Sequence, residues 1–369
     1  MSMTPSTHEP VALPDASVPA GEGEAPRGRR DTSHSIHARL SGIYIIALFI
    51  AIFAVWVPST FLTTTTVQSI LGSEAITAII AIGLLFSLAA GQFDLSAGGM
   101  VGLSTVIVAW LTAQHGYSPE SAIAIALAVG VAVGALNGLL VVGLGVHSFI
   151  ATLGMSSVLI AITEKITGEE FITGVPSGIT DIANPQPLGI PVLALYALVV
   201  AVVAWYVLEH TPAGRRLHAV GAGPEAARLA GVPTRKLAFA SLIATSTIAA
   251  LAGVFLAAEV GSASPDQGSA YLLPAFAAAL LGSTQILPGR VNVAGTMVAI
   301  VLLAVGIKGL QLAGGAGWVT DMFNGVALMV AVSAANFAQV TRARRLLRQR
   351  RTRDRASGSP PEKIRRDHP

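Results

Sequence analysis

The sequence contains no cysteine, which removes disulfides, thiolate metal sites and cysteine nucleophiles together. Charge is scarce as well. Only 12% of the 369 residues are Asp, Glu, Lys or Arg, against about a quarter in soluble domains. What charge there is collects at the ends: residues 1–39 carry nine charged side chains and residues 341–369 carry fourteen, leaving twenty for the 301 residues between. No Gly-x-x-x-x-Gly-Lys-Ser/Thr phosphate loop occurs, so the chain lacks that device for holding a nucleoside triphosphate. The eight histidines have no metal-ligand spacing, and no Ser-His-Asp arrangement stands out. Together these absences exclude a soluble enzyme, a disordered protein and a nucleic-acid module. No metal or cofactor is expected in this chain.

What remains is apolar. The central region is built from runs near the ~20 residues a helix needs to cross a bilayer. Ten spans are predicted, at 41–58, 70–90, 96–113, 119–144, 147–167, 191–208, 237–258, 272–286, 292–312 and 318–340. Pro and Gly clusters punctuate the gaps, and the eighth span, short and containing Pro274, reads as a half-helix or re-entrant segment. The fold class is therefore an all-α polytopic membrane protein of about ten helices, some of them broken or re-entrant. Residues 1–39 read as a disordered cytoplasmic tail, 40–340 as the transmembrane domain and 341–369 as a basic cytoplasmic tail; Pro5, Pro10, Pro14, Pro19 and Pro26 within a polar stretch argue against a signal peptide.

Basic residues set the direction. With the N-terminus inside, the inner segments hold 21 of the 23 Lys and Arg, five of them in loop 209–236, while the outer segments, including loop 168–190, hold none. That bias predicts both termini inside, and the basic flanks suit contact with anionic lipid. A weak internal repeat is also present. An apolar helix, a Gly-containing break and a second helix occur around Gly91–Asp94 and again around Gly282–Gly289; a broader pairing of spans two to five with seven to ten would be inverted.

Several residues stand out. Asp94, at membrane depth, would cost roughly 2.5–3.5 kcal/mol as an unpaired charge. It reads either as a pathway residue at a broken helix or as an N-cap accepting the free amides of the next turn. Gln92 and Ser96 share its break and offer neutral hydrogen bonds to a solute. Lys308 either snorkels to the surface or pairs with Asp321. Glu164 and Lys165 read as an interfacial pair. Gly130, Gly134 and Gly138 form a small-residue stripe suited to close helix packing. In the polar loop 209–237, Gly223-Pro224-Glu225 marks a helix start, Ala226, Ala227, Leu229 and Ala230 give it a small apolar face, and Gly231 can end it. Such a face is covered either by a partner protein or by the chain's own membrane domain.

At this loop a resemblance becomes specific. Thr211 to Gly231 is similar to the cytoplasmic loop of permease subunits of ribose-type sugar ABC importers. Gly91-Gln92-Phe93-Asp94-Leu95-Ser96-Ala97-Gly98 resembles that family's Gly-Gly-Ile-Asp-Leu-Ser-Val-Gly signature. Asn137-Gly138-Leu139-Leu140-Val141, Phe149-Ile150-Ala151-Thr152-Leu153-Gly154 and Ala279-Leu280-Leu281-Gly282-Ser283-Thr284 add further matches across about residues 40–340. Two departures are Gln92, where the family usually has Gly, and the bulky Ile286-Leu287-Pro288-Gly289-Arg290. The resemblance implies a permease without chemistry of its own in a bacterial inner membrane, carrying a monosaccharide or related polyol. It implies a second permease subunit, an ATPase chain holding ATP and Mg, and an extracytoplasmic sugar-binding protein. It also places ATPase coupling on Gly214, Arg215, Arg216, Gly223, Pro224, Glu225, Ala226, Ala227, Leu229 and Gly231, and the translocation pathway near Gln92, Asp94, Ser96 and Asn137. The rivals are an ion-coupled secondary transporter using Asp94, Glu74 or Lys308, a membrane scaffold, and a permease of the same class for branched-chain amino acids.

Overall fold

The computed structural model describes residues 40–333. Both tails, and the end of the tenth predicted span at 334–340, lie outside the described residues. The chain forms α1 (Ser41–Trp56), α2 (Thr64–Ala89), α3 (Ser96–Ala109), α4 (Pro119–Gly138), α5 (Ser148–Thr167), α6 (Val192–Trp205), α7 (Pro212–Ala222), α8 (Pro224–Leu229), α9 (Thr234–Val260), α10 (Leu272–Gly282) and α11 (Val293–Leu312). A final apolar helix, α12, spans Trp318–Ser333. Helices α3, α4 and α6 each run on into one wider π-type turn. The departure from an all-helical chain is a two-residue ladder in which β1 (Ile172–Thr173) pairs antiparallel with β2 (Ser262–Ala263).

Each of the ten predicted spans coincides with a helix. Seven are long and apolar enough to cross a membrane, counting the π-type extensions. Ser41–Trp56, Ser269–Gly282 and Trp318–Ser333 are shorter. At ~1.5 Å per residue, the fourteen residues of Ser269–Gly282 reach about 21 Å, short of a ~30 Å hydrocarbon core. The helix of the eighth segment ends at Gly282 and not at 286.

Local chemistry explains the helix ends. Thr63 caps α2 by accepting the Thr66 amide at 3.2 Å, so this helix begins six residues before its predicted start. Ser118, followed by Pro119 and Glu120, caps α4. Asn292 caps α11 by accepting the Gly295 amide at 2.7 Å, while its Nδ2 donates to the carbonyls of Gly282, Gln285 and Arg290. Gly168 and Gly261 end α5 and α9 in the left-handed region.

The core is layered around α3, which is buried over its whole length. Helices α4, α5 and α9 pack around it. The outer helices instead show apolar faces: Phe149, Ile150, Leu153, Val158 and Ile162 on α5, and Leu198, Val199, Val202 and Val203 on α6, are exposed. With no moment separating a polar from an apolar side, such helices belong in lipid. The chain is an all-α polytopic membrane protein.

The glycine stripe of α4 packs within the chain. Ideal Cβ atoms at Gly130, Gly134 and Gly138 would lie 2.6 Å from Ala250 Cβ, 2.5 Å from Ile243 Cα and 2.5 Å from a Phe239 ring carbon. All three neighbours belong to α9.

Helix ends meet consistently at one end of the bundle. Gln285 Oε1 accepts from the Gly42 amide at 2.8 Å, Arg235 donates to Val142 O at 2.6 Å, and Ser148 Oγ accepts from Phe93 N at 3.1 Å. The loop helices α7 and α8 sit at this end too, where a Cβ at Gly221 would strike the Ala89 carbonyl. Helix α2 therefore finishes where α9 begins, and the two run antiparallel in contact, with Thr245 Oγ1 donating to Gly83 O at 2.9 Å. Each is a long helix followed by a non-helical break, at 90–95 and 261–268. That geometry agrees with the inverted pairing of spans two to five with seven to ten.

Candidate functional site

The break between α2 and α3 is held by hydroxyls from the first turns of α5. Thr152 Oγ1 accepts the Leu95 amide at 3.0 Å, and Ser148 takes that of Phe93. This tether turns Asp94 into the bundle, where it is 0% exposed. Asp94 Oδ1 accepts from the Ser96 amide at 3.1 Å and from Ser96 Oγ at 2.5 Å, and Oδ2 accepts from Ser246 Oγ on α9 at 3.4 Å. Asn137 Nδ2 on α4 donates to Ser96 Oγ at 2.8 Å, while Asn137 Oδ1 is buried without a partner. Asp94 is not the N-cap residue, a position that Leu95 holds without a side-chain cap; its carboxylate accepts the first amide of α3 from two residues back.

Three of the four expected pathway residues, Asp94, Ser96 and Asn137, therefore meet in one sealed network. It ties three helices together through neutral donors only. Gln92 does not join it. Together with Gly91, Gly221, Pro224 and Arg235 it lines a cleft of about 320 Å³ at the α7–α8 end.

Loop 209–237 folds into two helices. Thr211 caps α7 by accepting the Gly214 amide at 3.3 Å, with Pro212 in the first turn. Gly214 is buried where any Cβ would meet the Leu208 carbonyl. Leu217 and Val220 turn inward, while Arg215 and Arg216 are exposed. Gly223 and Pro224 open α8, Glu225 pairs with Arg228 at 2.8 Å, and Gly231 (φ 79°) follows its end. The expected apolar face needs one correction. Ala227 is 6% exposed and packs into the chain itself, whereas Leu229 is 85% exposed and Ala226 and Ala230 share its outward side. The chain's own membrane domain covers the Ala227 side of the helix, and Leu229 is left uncovered.

His218 on α7 is partly buried with its Nε2 unpartnered. Burial pushes its imidazole down to about 4, and the Arg290 guanidinium adds to the effect.

Two further expectations are corrected. Lys308 forms no ion pair with Asp321; its Nζ donates to Ser69 Oγ on α2 at 2.8 Å, because α2 packs beside α11 at that level. Glu164 and Lys165 form no ion pair: among the described residues Arg228–Glu225 is the single one. No group of three metal-ligating side chains occurs among the described residues.

The sequence reading missed a second polar region at the opposite end of the bundle. Two cavities, of about 480 and 150 Å³, both touch Ser73. The larger is lined by Gln68, Ser69, Asn184 and Glu259, the smaller by Glu74, Thr77, Tyr271 and Asn324. A signal was present: Thr65, Ser69, Ser73 and Thr77 recur every fourth residue, which sets one polar stripe along α2.

The Escherichia coli K12 ribose import permease protein RbsC is 30% identical over 319 residues, covering 85% of this chain and 98% of that protein. The Bacillus subtilis ribose import permease protein is 31% identical over 293 residues, covering 79% and 89%. The Photorhabdus luminescens autoinducer 2 import system permease protein LsrD is 30% identical over 260 residues, covering 69% and 78%. No solved structure matches the chain. Residues 66–332 match the profile described as branched-chain amino acid transport system / permease component, and the chain belongs to that family of transport permeases.

Proposed function

We propose that this chain is the membrane-spanning subunit of an ATP-driven importer for a monosaccharide or related polyol, working in the plasma membrane of a bacterium with both termini inside. The observation that carries the reading is the match to ribose permeases over nearly their whole length. On this reading an extracytoplasmic binding protein delivers the solute, two permease subunits form the pathway, and a separate chain hydrolyses ATP with Mg. The family's description also names branched-chain amino acids, and solute uptake separates the two classes.

Coupling rests on α7 and α8. Leu229, with Ala226 and Ala230 beside it, is an apolar projection suited to a groove on the ATPase, and Arg215 and Arg216 flank it. The C-terminal end of α7 abuts the backbone of Ala89 and Gly91, so a displacement of the loop reaches the α2–α3 break through direct contact. The test is co-purification of the ATPase with Leu229→Asp permease, beside sugar uptake in the same cells. Normal membrane expression with lost ATPase binding and lost uptake is expected. Full binding and full uptake would overturn the coupling assignment.

A further inference from the structure

We infer that the two cavities meeting at Ser73 form a binding site for a polyhydroxylated solute, with Glu74 and Asn324 accepting hydrogen bonds from its hydroxyls and Tyr271 bordering its carbon skeleton. The inference rests on the transport reading above and adds to it where in the chain the solute sits.

Position supports it first. Along α2 the polar stripe from Thr65 to Thr77 covers twelve residue steps, about 18 Å at ~1.5 Å each, which is more than half of a ~30 Å hydrocarbon core. The larger cavity, about 480 Å³, falls within the ~300–1,000 Å³ of small-molecule sites. The smaller, about 150 Å³, lies further along α2 and has room for about five waters at ~30 Å³ each. Polar side chains at such depth face a water-filled cavity or a partner, and here they face the cavities.

Chemistry then selects the occupant. Asn324 is 3% exposed, lines the inner cavity, and its Oδ1 has no hydrogen-bond partner. An unsatisfied buried acceptor of this kind costs about 1–3 kcal/mol, and a donor brought in by a ligand removes that cost. Glu74, also in the inner wall, is an acceptor when ionised. Ser73 and Tyr271 carry hydroxyls that give or receive. A small cavity with acceptors on two walls calls for a ligand rich in O–H donors. An anion would meet Glu74 in the inner cavity and Glu259 in the outer one. Lys308, already bonded to Ser69, lines neither cavity, so the carboxylate of an amino acid has no cation there to receive it.

Because the native chain has no cysteine, Ser73→Cys gives a single thiol inside the proposed site. The purified Ser73→Cys permease in lipid nanodiscs, without ATPase, is reacted with a small water-soluble methanethiosulfonate. The rate is compared in buffer, in D-ribose, ribitol or D-glucose, and in L-leucine. At twice its dissociation constant a competing occupant slows the reaction about threefold; at least one polyol is expected to do so, and L-leucine is not. Adding Glu74→Gln or Asn324→Leu should raise the polyol concentration needed about tenfold. The site assignment fails if the thiol does not react, if no polyol slows it, or if L-leucine slows it as well. Since no ATPase is present, loss of the coupling assignment at Leu229 would leave this result unchanged, and ATPase binding without polyol protection would remove the site alone.

Discussion

At the level of single residues, Asp94 is a device for starting a helix inside a membrane protein. It accepts three hydrogen bonds and meets no cation within ion-pair distance. Asp94→Asn keeps an acceptor for Ser96 and presents an amide to Ser246 Oγ, which can receive it. Asp94→Leu strands the Ser96 amide and two hydroxyls, each at about 1–3 kcal/mol. The expected outcome is a thermal midpoint near wild type for Asn and a loss of several degrees or outright misfolding for Leu, read on purified protein. Equal midpoints for the two variants would show that the network does not hold the fold. His218 gives a pH dependence. Its folded value near 4 lies below the ordinary 6.5, so between those values the unfolded chain binds a proton that the folded chain does not. Its contribution is complete above about pH 6.5 and is lost as the pH falls towards 4. The thermal midpoint should therefore drop on acidification over that window, and His218→Leu should drop less steeply than wild type.

Among the helices, the contrast between two glycines separates packing from propensity. Gly134 faces the α9 backbone at a distance no side chain tolerates, whereas a Cβ at Gly154 on α5 would meet nothing within 4 Å. Gly134→Ala should destabilise the protein by about 1–3 kcal/mol through overpacking, and Gly154→Ala should stabilise it by up to about 1 kcal/mol through helix propensity. Denaturation of the two variants side by side checks the opposite signs. The same pair shows what was legible in the sequence. Apolar run length marked ten of the helices but not α7 or α8 in the polar loop, and the Gly130, Gly134, Gly138 spacing announced a close contact. Hydropathy could not find the first turn of α2, because Thr64, Thr65, Thr66, Gln68 and Ser69 read as loop when their partners are unseen. Nor could six residues of α8 reveal that Ala227 and not Leu229 turns inward, since that depends on what lies beneath the helix. For the site, the Asp94–Ser96 cluster was visible as a motif. The cavities were not, because Glu74, Tyr271 and Asn324 come from three separate segments that only folding brings together.

For the molecule as a whole, orientation is the property most open to test. Ser177 and Ala222 are exposed at opposite ends of the bundle. In intact cells Ser177→Cys should be labelled by an impermeant thiol reagent, and Ala222→Cys only after the membrane is opened. External labelling of Ala222→Cys would reverse the orientation that the basic residues set.

The complete burial of α3 has a consequence for biosynthesis. A helix that touches only protein has no need to be strongly apolar, and α3 carries Ser96, Gly98, Gly99, Gly102, Ser104 and Thr105 within ten residues. Leaving the ribosome, such a segment gains less from partitioning into lipid than the Val-, Ala- and Leu-rich α4 that follows it. Its residence in the membrane is secured by the helices that pack on it, α4 and α5 arriving next and α9 after them. Helix α3 therefore waits for partners made after it, and the helix that begins beside Asp94 is itself held by helices that meet the lipid on its behalf.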